Sequence, residues 1–206
     1  MIASEKLTSE QAIQLLQRQD ALQAEAQSVL EDLDVDKVLG AIGTLIQIGS
    51  TVLGLMVWPD IDFNVACPGA SPNDVFNTSL PLLTHPRIKQ VRYLNQSGAF
   101  RESLPRNDRY YFALLYQASG IEWKIDISFW LSNEPRQEAV QTEAILRQLT
   151  PETRLAILWI KDAWYQLPSY RTQVLSIDIY EAVLQHGVRT PAEFDAYLVE
   201  RGKPGR

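Results

Sequence analysis

The sequence contains very little cysteine and histidine. Cys67 is the single cysteine among 206 residues, so neither an intramolecular disulfide nor a cysteine-ligated zinc site can form. This cysteine content suits a reducing cytoplasm, which is the location we expect. The two histidines, His85 and His186, lie far apart in the chain, and no hydrolase triad stands out around them.

An excess of positive charge is also missing. The net charge is −6 and the isoelectric point is about 5.0. Because an acidic chain repels phosphate backbones, we do not expect a general nucleic-acid-binding protein. Net charge does not exclude a local basic strip, since it carries no information about patches.

No segment has the composition of a signal peptide or a membrane helix. Glu5, Lys6 and Glu10 lie where the apolar part of a signal peptide would have to be. Residues 38–59 contain no charged side chain, but four glycines and several polar residues interrupt them. A membrane span needs about 20 mostly apolar residues, so we interpret this stretch as buried strand and turn.

Hydrophobic periodicity and turn residues predict an α+β fold. Strands are predicted at residues 44–48, 60–66, 88–94, 110–117 and 121–131, with Ser119 and Gly120 forming a hairpin turn between the last two. Helices are predicted at residues 9–33, 50–55, 72–84, 136–149, 151–166, 172–186 and 191–202. We therefore expect a small mixed β-sheet core in residues 1–134, with the N-terminal helix, and a C-terminal helical bundle in residues 135–206.

Three aspartates stand out within this pattern. Alternate residues of a strand point to the same face, so Asp60 and Asp62 share one face while Ile61 and Phe63 share the other. Asp126 lies in the middle of a later strand whose odd positions, 121–129, are all apolar. Three carboxylates on two such strands indicate one acidic centre that holds Mg²⁺ or Mn²⁺. A solvated Asp-x-Asp edge without function is the competing interpretation.

A glycine turn precedes this acidic pair. Gly49 and Ser50 end the first predicted strand and begin a short helix. Glycine allows close approach of the backbone to a ligand, and the N–H groups at a helix start favour phosphate. The candidate phosphate-binding and metal-binding residues therefore lie in consecutive elements.

Taken together, Gly49, Ser50, Gly54, Asp60 and Asp62 resemble the signature of the nucleotidyltransferase superfamily, which includes polymerase beta and the antibiotic nucleotidyltransferases. The motif match covers roughly residues 44–130, and the helical back half is similar in architecture to the aminoglycoside and lincosamide nucleotidyltransferases. Many members carry arginines directly after the serine, where this chain has residues 51–53, Thr-Val-Leu. Other cations would then have to neutralise the phosphate charge. Six candidates lie around the third strand and its loop: Arg87, Lys89, Arg92, Arg101, Arg106 and Arg109. The alternative is that these residues form a solvated basic loop.

The resemblance implies a role for each matching residue. Asp60 and Asp62 would bind the metals that bridge a nucleoside triphosphate, most simply ATP, and Asp126 would be a third ligand or the general base. The β- and γ-phosphates would lie against Gly49 and Ser50. Lys124, on the same face as Asp126, would contact a phosphate.

The expected activity is transfer of a nucleoside monophosphate from a nucleoside triphosphate to a hydroxyl group of a small molecule. An acidic surface suits a cationic acceptor, such as an aminoglycoside antibiotic. Two alternatives stay open: a nucleotidyltransferase that modifies a protein or acts in a toxin–antitoxin pair, and a degenerate member that binds only a nucleotide or a partner. Neither nucleic acid nor a membrane is an expected partner, and the oligomeric state, a homodimer included, is left open.

Overall fold

The computed structural model describes residues 6–101, 107–118 and 120–206, so that Arg106 and Ser119 lie outside the described residues. One mixed sheet contains five strands, in the order β1-β2-β5-β4-β3. The strands are β1 (Thr44–Ile48), β2 (Asp60–Ala66), β3 (Ile88–Gln96), β4 (Arg109–Ala118) and β5 (Ile121–Trp130). β2 and β5 are parallel, and the other neighbouring pairs are antiparallel. The predicted strands and the α+β class are confirmed.

Helices precede, interrupt and follow the sheet. They are α1 (Ser9–Asp32), α2 (Val35–Gly40), α3 (Ser50–Leu53), α4 (Pro72–Leu83), α5 (Gln137–Leu146), α6 (Pro151–Trp164), α7 (Ser176–His186) and α8 (Pro191–Glu200). α7 begins four residues later than predicted, because Tyr170 bridges to Val174 and Arg171 has a positive φ of 69°, which interrupts a helical path. None of the helices in the described part of the chain has the length and apolar character required to cross a membrane.

One face of the sheet is apolar and buried. The apolar positions of β5 that face this side are at most 1% exposed: Trp123, Ile125, Ile127 and Phe129. Phe76 of α4 packs edge-on against Phe112 of β4, with ring centroids 5.1 Å apart. The polar alternate positions of the same strands therefore face the opposite side, where Asp60, Asp62 and Asp126 are half-buried.

The chain divides into two compact units. One unit contains Gln23–Leu53 and Pro59–Thr142, and hence the whole sheet. The other contains α1 up to Leu22, Gly54–Trp58 and Glu143–Arg206. In this second unit the fully buried Lys161 of α6 donates to the Leu55 carbonyl at 2.6 Å, which fixes the short segment against the helix. The predicted boundary between residues 134 and 135 stays a prediction.

Candidate active site

Two neighbouring parallel strands carry three carboxylates on one face of the sheet. The register pairs Asp62 of β2 with Asp126 of β5, and Asp60 with Lys124. Because side chains alternate along a strand, Asp60 and Asp62 share a face. One carboxylate oxygen from each aspartate lies within 4.8 Å of the other two. The structure therefore brings the predicted carboxylates together, while their roles in metal binding and catalysis stay predictions.

A lysine lies inside this acidic centre. The side chains of Asp60 and Asp126 are only 14% and 19% exposed, so the repulsion between them is poorly screened by water. The Lys124 ammonium donates to Asp126 Oδ2 and lies 3.8 Å from Asp60 Oδ1. Its partners in the structure are thus carboxylates, and its predicted contact with a phosphate stays a prediction.

Tyr111 of β4 is a site residue that the sequence pattern did not single out. Its hydroxyl donates to Asp126 Oδ1 at 2.8 Å. Burial and, next, the negative charge of Asp126 raise the pKa of the Tyr111 phenol far above its usual range, so the group stays a donor at neutral pH. The information needed to find Tyr111 was the register in which β4 and β5 pair. β4 and β5 pair Ala118 with Ile121, so that Ala113 lies opposite Asp126, and Tyr111, two residues before Ala113, lies on the same face.

Gly49 contacts the acidic centre through its backbone. It has a φ of +79°, and a Cβ added there would lie 2.6 Å from Asp62 Oδ2. Only glycine fits this position without moving the carboxylate. Ser50 begins the four-residue helix α3 and is 8% exposed. The Thr51 hydroxyl then donates to the Asp60 carbonyl at 3.1 Å, so α3 is tied to the first residue of β2.

The second glycine of the motif has a different environment. Gly54 has a φ of +64°, and its carbonyl accepts from Arg154 Nε of α6 at 3.0 Å. A Cβ at Gly54 would lie 3.3 Å from Arg154 Nη2. Glycine is therefore favoured at position 54 by the positive φ of the turn and by the close approach of Arg154.

Of the six basic residues considered for phosphate binding, the five that the structure describes separate into two groups. Arg87 pairs with Asp32, Lys89 pairs with Glu122 and Arg101 pairs with Asp108. Within the described ranges, neither Arg92 nor Arg109 lies within ion-pair distance of a carboxylate.

The buried cysteine does not offer a nucleophile. Cys67 follows β2 and is 2% exposed. Burial raises the pKa of its thiol to about 11, so the reactive thiolate is scarce at neutral pH. Cys67 is therefore a poor candidate for a nucleophile.

The donor set fits a divalent metal ion. Carboxylate oxygens are the hard ligands that Mg²⁺ and Mn²⁺ prefer, and three of them converge here. Among the residues that the structure describes, Asp60, Asp62 and Asp126 form the only such group of three acidic, histidine or cysteine side chains. These three residues would hold the ion.

Comparison with known proteins gives a likeness of fold. No family model and no curated protein matches the sequence. The non-canonical poly(A) polymerase complex GLD-2–GLD-3 is similar over 85% of this chain and 52% of that chain, with 15% identity and a TM-score of 0.45. Escherichia coli MS115-1 CdnC with ATP is similar over 94% of this chain and 68% of that chain, with 18% identity and a TM-score of 0.44.

Both structures belong to the nucleotidyltransferase superfamily. The likeness to these two structures agrees with the predicted resemblance in fold alone, whereas the closer likeness to antibiotic nucleotidyltransferases stays a prediction. The chain spans about half the length of the polymerase chain that it matches. The likeness concerns the fold alone, so activity has to be argued from the side chains of this chain.

Proposed function

We propose that the protein is a divalent-metal-dependent nucleotidyltransferase that moves a nucleoside monophosphate from a nucleoside triphosphate to a hydroxyl group of a small molecule. The observation that supports this most strongly is the convergence of the Asp60, Asp62 and Asp126 carboxylate oxygens to within 4.8 Å. Carboxylates at this spacing suit the metal ions used in phosphoryl and nucleotidyl transfer.

In the proposed reaction the acceptor oxygen bonds to the α-phosphorus, and the bond from that phosphorus to the oxygen bridging to the β-phosphate breaks. Pyrophosphate leaves, and the hydroxyl proton passes to a carboxylate oxygen of Asp126. Bound Mg²⁺ or Mn²⁺ would neutralise phosphate charge beside the carboxylates. Tyr111 and Lys124 each donate to one oxygen of Asp126 and so orient it.

The donor triphosphate, with ATP as the first to test, is proposed to lie against Gly49 and Ser50. Supporting this, the Gly49 backbone lies directly beside the Asp62 carboxylate, so a phosphate held there would also be adjacent to the metal ligands. Glycine leaves the backbone N–H groups open to such an approach.

A transfer assay tests the proposal. The purified chain is incubated with Mg²⁺ and each α-³²P-labelled nucleoside triphosphate, together with a panel of hydroxyl acceptors that includes kanamycin. We expect label transfer and pyrophosphate release, and Asp126→Asn should reduce the rate by roughly 100- to 10,000-fold. Glu122→Gln is the matched control, because Glu122 lies on the same face of β5 but pairs with Lys89 outside the acidic centre.

Binding is measured in parallel by thermal shift with Mg²⁺ and each triphosphate. If neither metal nor nucleotide stabilises the chain, and Asp60→Asn or Asp62→Asn changes nothing, the chain is not a nucleotidyltransferase. If the label is found on a protein and not on a small molecule, the acceptor is a protein.

A further inference from the structure

The face that carries the acidic centre continues across two more strands. Asp126 of β5 lies opposite Ala113 of β4, and Ala113 lies opposite Arg92 of β3. Neighbouring strands are about 4.8 Å apart, so Arg92 starts about 10 Å from Asp126 along this row. Gly49 lies beyond Asp62, at the opposite end of the same row, because Ile48 of β1 pairs with Asp62. The β4–β3 side is therefore the side away from the proposed triphosphate.

Arg109 is held in a fixed orientation on this β4–β3 side. Its Nε donates to Gln96 at 2.7 Å and its Nη1 donates to Ser128 at 3.0 Å. Its guanidinium also lies 5.4 Å from the Tyr111 ring centroid and 4.9 Å from that of Trp130. These contacts use the aromatic faces and neutral acceptors, so none of them neutralises the positive charge.

Charge pairing separates these two arginines from their neighbours. Arg87, Lys89 and Arg101 have carboxylate partners at 3.2, 2.7 and 3.1 Å. For Arg92 and Arg109, the described part of the chain supplies no carboxylate within ion-pair distance. Arg109 is half-buried, where a guanidinium without a counter-charge is costly, and Arg92 is exposed. The planar fork of a guanidinium matches a phosphate. The side of the centre away from the triphosphate thus presents two uncompensated cations.

We propose that the β4–β3 face binds the acceptor, and that this acceptor carries a phosphate close to its reacting hydroxyl. The inference rests on the proposed nucleotidyltransferase function and specifies its acceptor. Arg109 contacts Ser128, which lies two residues after Asp126, or about 7 Å along β5. A phosphate held by either arginine therefore lies within about 10 Å of Asp126, and a hydroxyl several bonds further along the same acceptor can reach that carboxylate. A cationic acceptor is disfavoured at this face, because both arginines would repel it.

Isothermal titration calorimetry on the full chain tests the proposal. The donor site is first saturated with Mg²⁺ and α,β-methylene-ATP, which cannot transfer its nucleotide. Matched probes are then titrated: ribose 5-phosphate against ribose, adenosine monophosphate against adenosine, a five-nucleotide oligoadenylate, and kanamycin. We expect each phosphorylated probe to bind more tightly than its unphosphorylated partner, and more weakly as salt is raised.

The variants assign the binding to the two arginines. Arg92→Gln and Arg109→Gln should each weaken the phosphorylated probes by about 10- to 100-fold, the range for losing a hydrogen bond to a charged group. Arg109→Lys keeps the charge and should recover part of the loss if Arg109→Gln folds poorly. Lys89→Gln is the control, since Lys89 lies on the strand of Arg92 but pairs with Glu122.

The outcomes distinguish the source of the phosphate and separate this inference from the proposed function. Equal binding of ribose 5-phosphate and adenosine monophosphate supports a small phosphorylated acceptor, and binding of the oligonucleotide alone supports a phosphodiester acceptor. Preference for unphosphorylated probes or kanamycin, no binding of any phosphorylated probe, or unchanged binding in both glutamine variants would overturn the inference. Binding of α,β-methylene-ATP that Asp62→Asn abolishes shows in the same experiment whether the donor site, and hence the proposed function, stands.

Discussion

Gly49 gives the sharpest prediction for a single residue. Gly49→Ala adds a Cβ 2.6 Å from Asp62 Oδ2 at a φ of +79°, so the backbone is strained and the carboxylate must move. We expect a loss of roughly 1–2 kcal/mol in the free energy of unfolding from the left-handed backbone. We also expect weaker Mg²⁺ binding, because a proposed ligand is displaced. Urea unfolding and metal titration measure the two effects separately.

Gly69→Ala is the matched control for this prediction. Gly69 has a φ of +76°, nearly the same as Gly49, but nothing lies within 4 Å of an added Cβ. It should therefore reproduce the loss of stability and leave Mg²⁺ binding unchanged. Equal metal affinity in the two variants would show that the contact with Asp62 does not matter.

Tyr111 gives a prediction about positioning. Tyr111→Phe removes the hydroxyl that donates to Asp126 Oδ1 at 2.8 Å, and leaves the ring in place. We expect kcat to fall by about 10-fold, with little change in KM for the triphosphate, because the orientation of the proposed base is loosened. Steady-state kinetics measure the split. Tyr93→Phe, on β3, is the control, and an equal fall in kcat there would contradict a specific role for Tyr111.

The individual site residues were predictable to different degrees. Asp60, Asp62 and Asp126 follow from strand alternation, which depends only on neighbouring residues. Tyr111 depends on which residues face each other across β4 and β5, and this requires the turn to be fixed first. That no carboxylate of the described residues pairs with Arg109 depends on side-chain packing across three strands, which no local pattern encodes.

Among the elements, the start of α4 allows a prediction with a pH dependence. The Asp74 N–H donates to the Ser71 hydroxyl at 3.3 Å, and the Ser71 hydroxyl and N–H donate to the Asp74 carboxylate. Ser71→Ala should cost about 1 kcal/mol in the free energy of unfolding at pH 7. Mg²⁺ binding should not change, since α4 contributes no residue to the acidic centre.

The pH dependence has a definite sign. Hydrogen bonds from Ser71 lower the pKa of Asp74 in the folded chain. A lowered pKa contributes stability above the unfolded pKa of Asp74, and this stability is lost as pH falls through the folded value. The cost of Ser71→Ala, measured by urea unfolding, should therefore shrink below about pH 4. A cost that stays constant down to pH 3 would show that the carboxylate does not take part in the cap.

Local signals located the elements better than their ends. Capping residues and prolines placed the starts of α4, α6 and α8 correctly, because those signals act within one helical turn. The start of α7 was predicted at Thr172 and lies at Ser176. The bridge between Tyr170 and Val174 forms there instead, and such a contact depends on the loop as a whole.

At the scale of the whole molecule, strand order assembles the acidic centre. β2 and β5 are adjacent and parallel although β3 and β4 intervene in sequence. Alternation predicted two acidic faces, but only the register that pairs Asp62 with Asp126 makes them one site. Long-range pairing of this kind is decided by the packing of the complete sheet, so alternation along two separate strands could suggest a shared centre but not the register that forms it.

Metal binding should be visible in the stability of the molecule as a whole. Without a divalent ion, the carboxylates of Asp60, Asp62 and Asp126 repel one another, with Lys124 as partial compensation. Asp62→Asn should then leave the metal-free chain equally stable or more stable. Mg²⁺ at 100 times its dissociation constant should stabilise the unaltered chain by about 2.7 kcal/mol, and stabilise the variant far less.

The informative result is which of the two proteins is the more stable in each condition. A structural role and a metal-binding role for Asp62 predict different changes in the free energy of unfolding of the metal-free chain. If Asp62 served only to hold the fold, Asp62→Asn would destabilise the chain with or without Mg²⁺. If Asp62 binds the ion, the variant is at least as stable as the unaltered chain in a chelator and less stable than it in Mg²⁺. Urea unfolding of both chains in each condition measures this change of order. Glu122→Gln should show none, since Glu122 lies on the same face of β5 as Asp126 but pairs with Lys89.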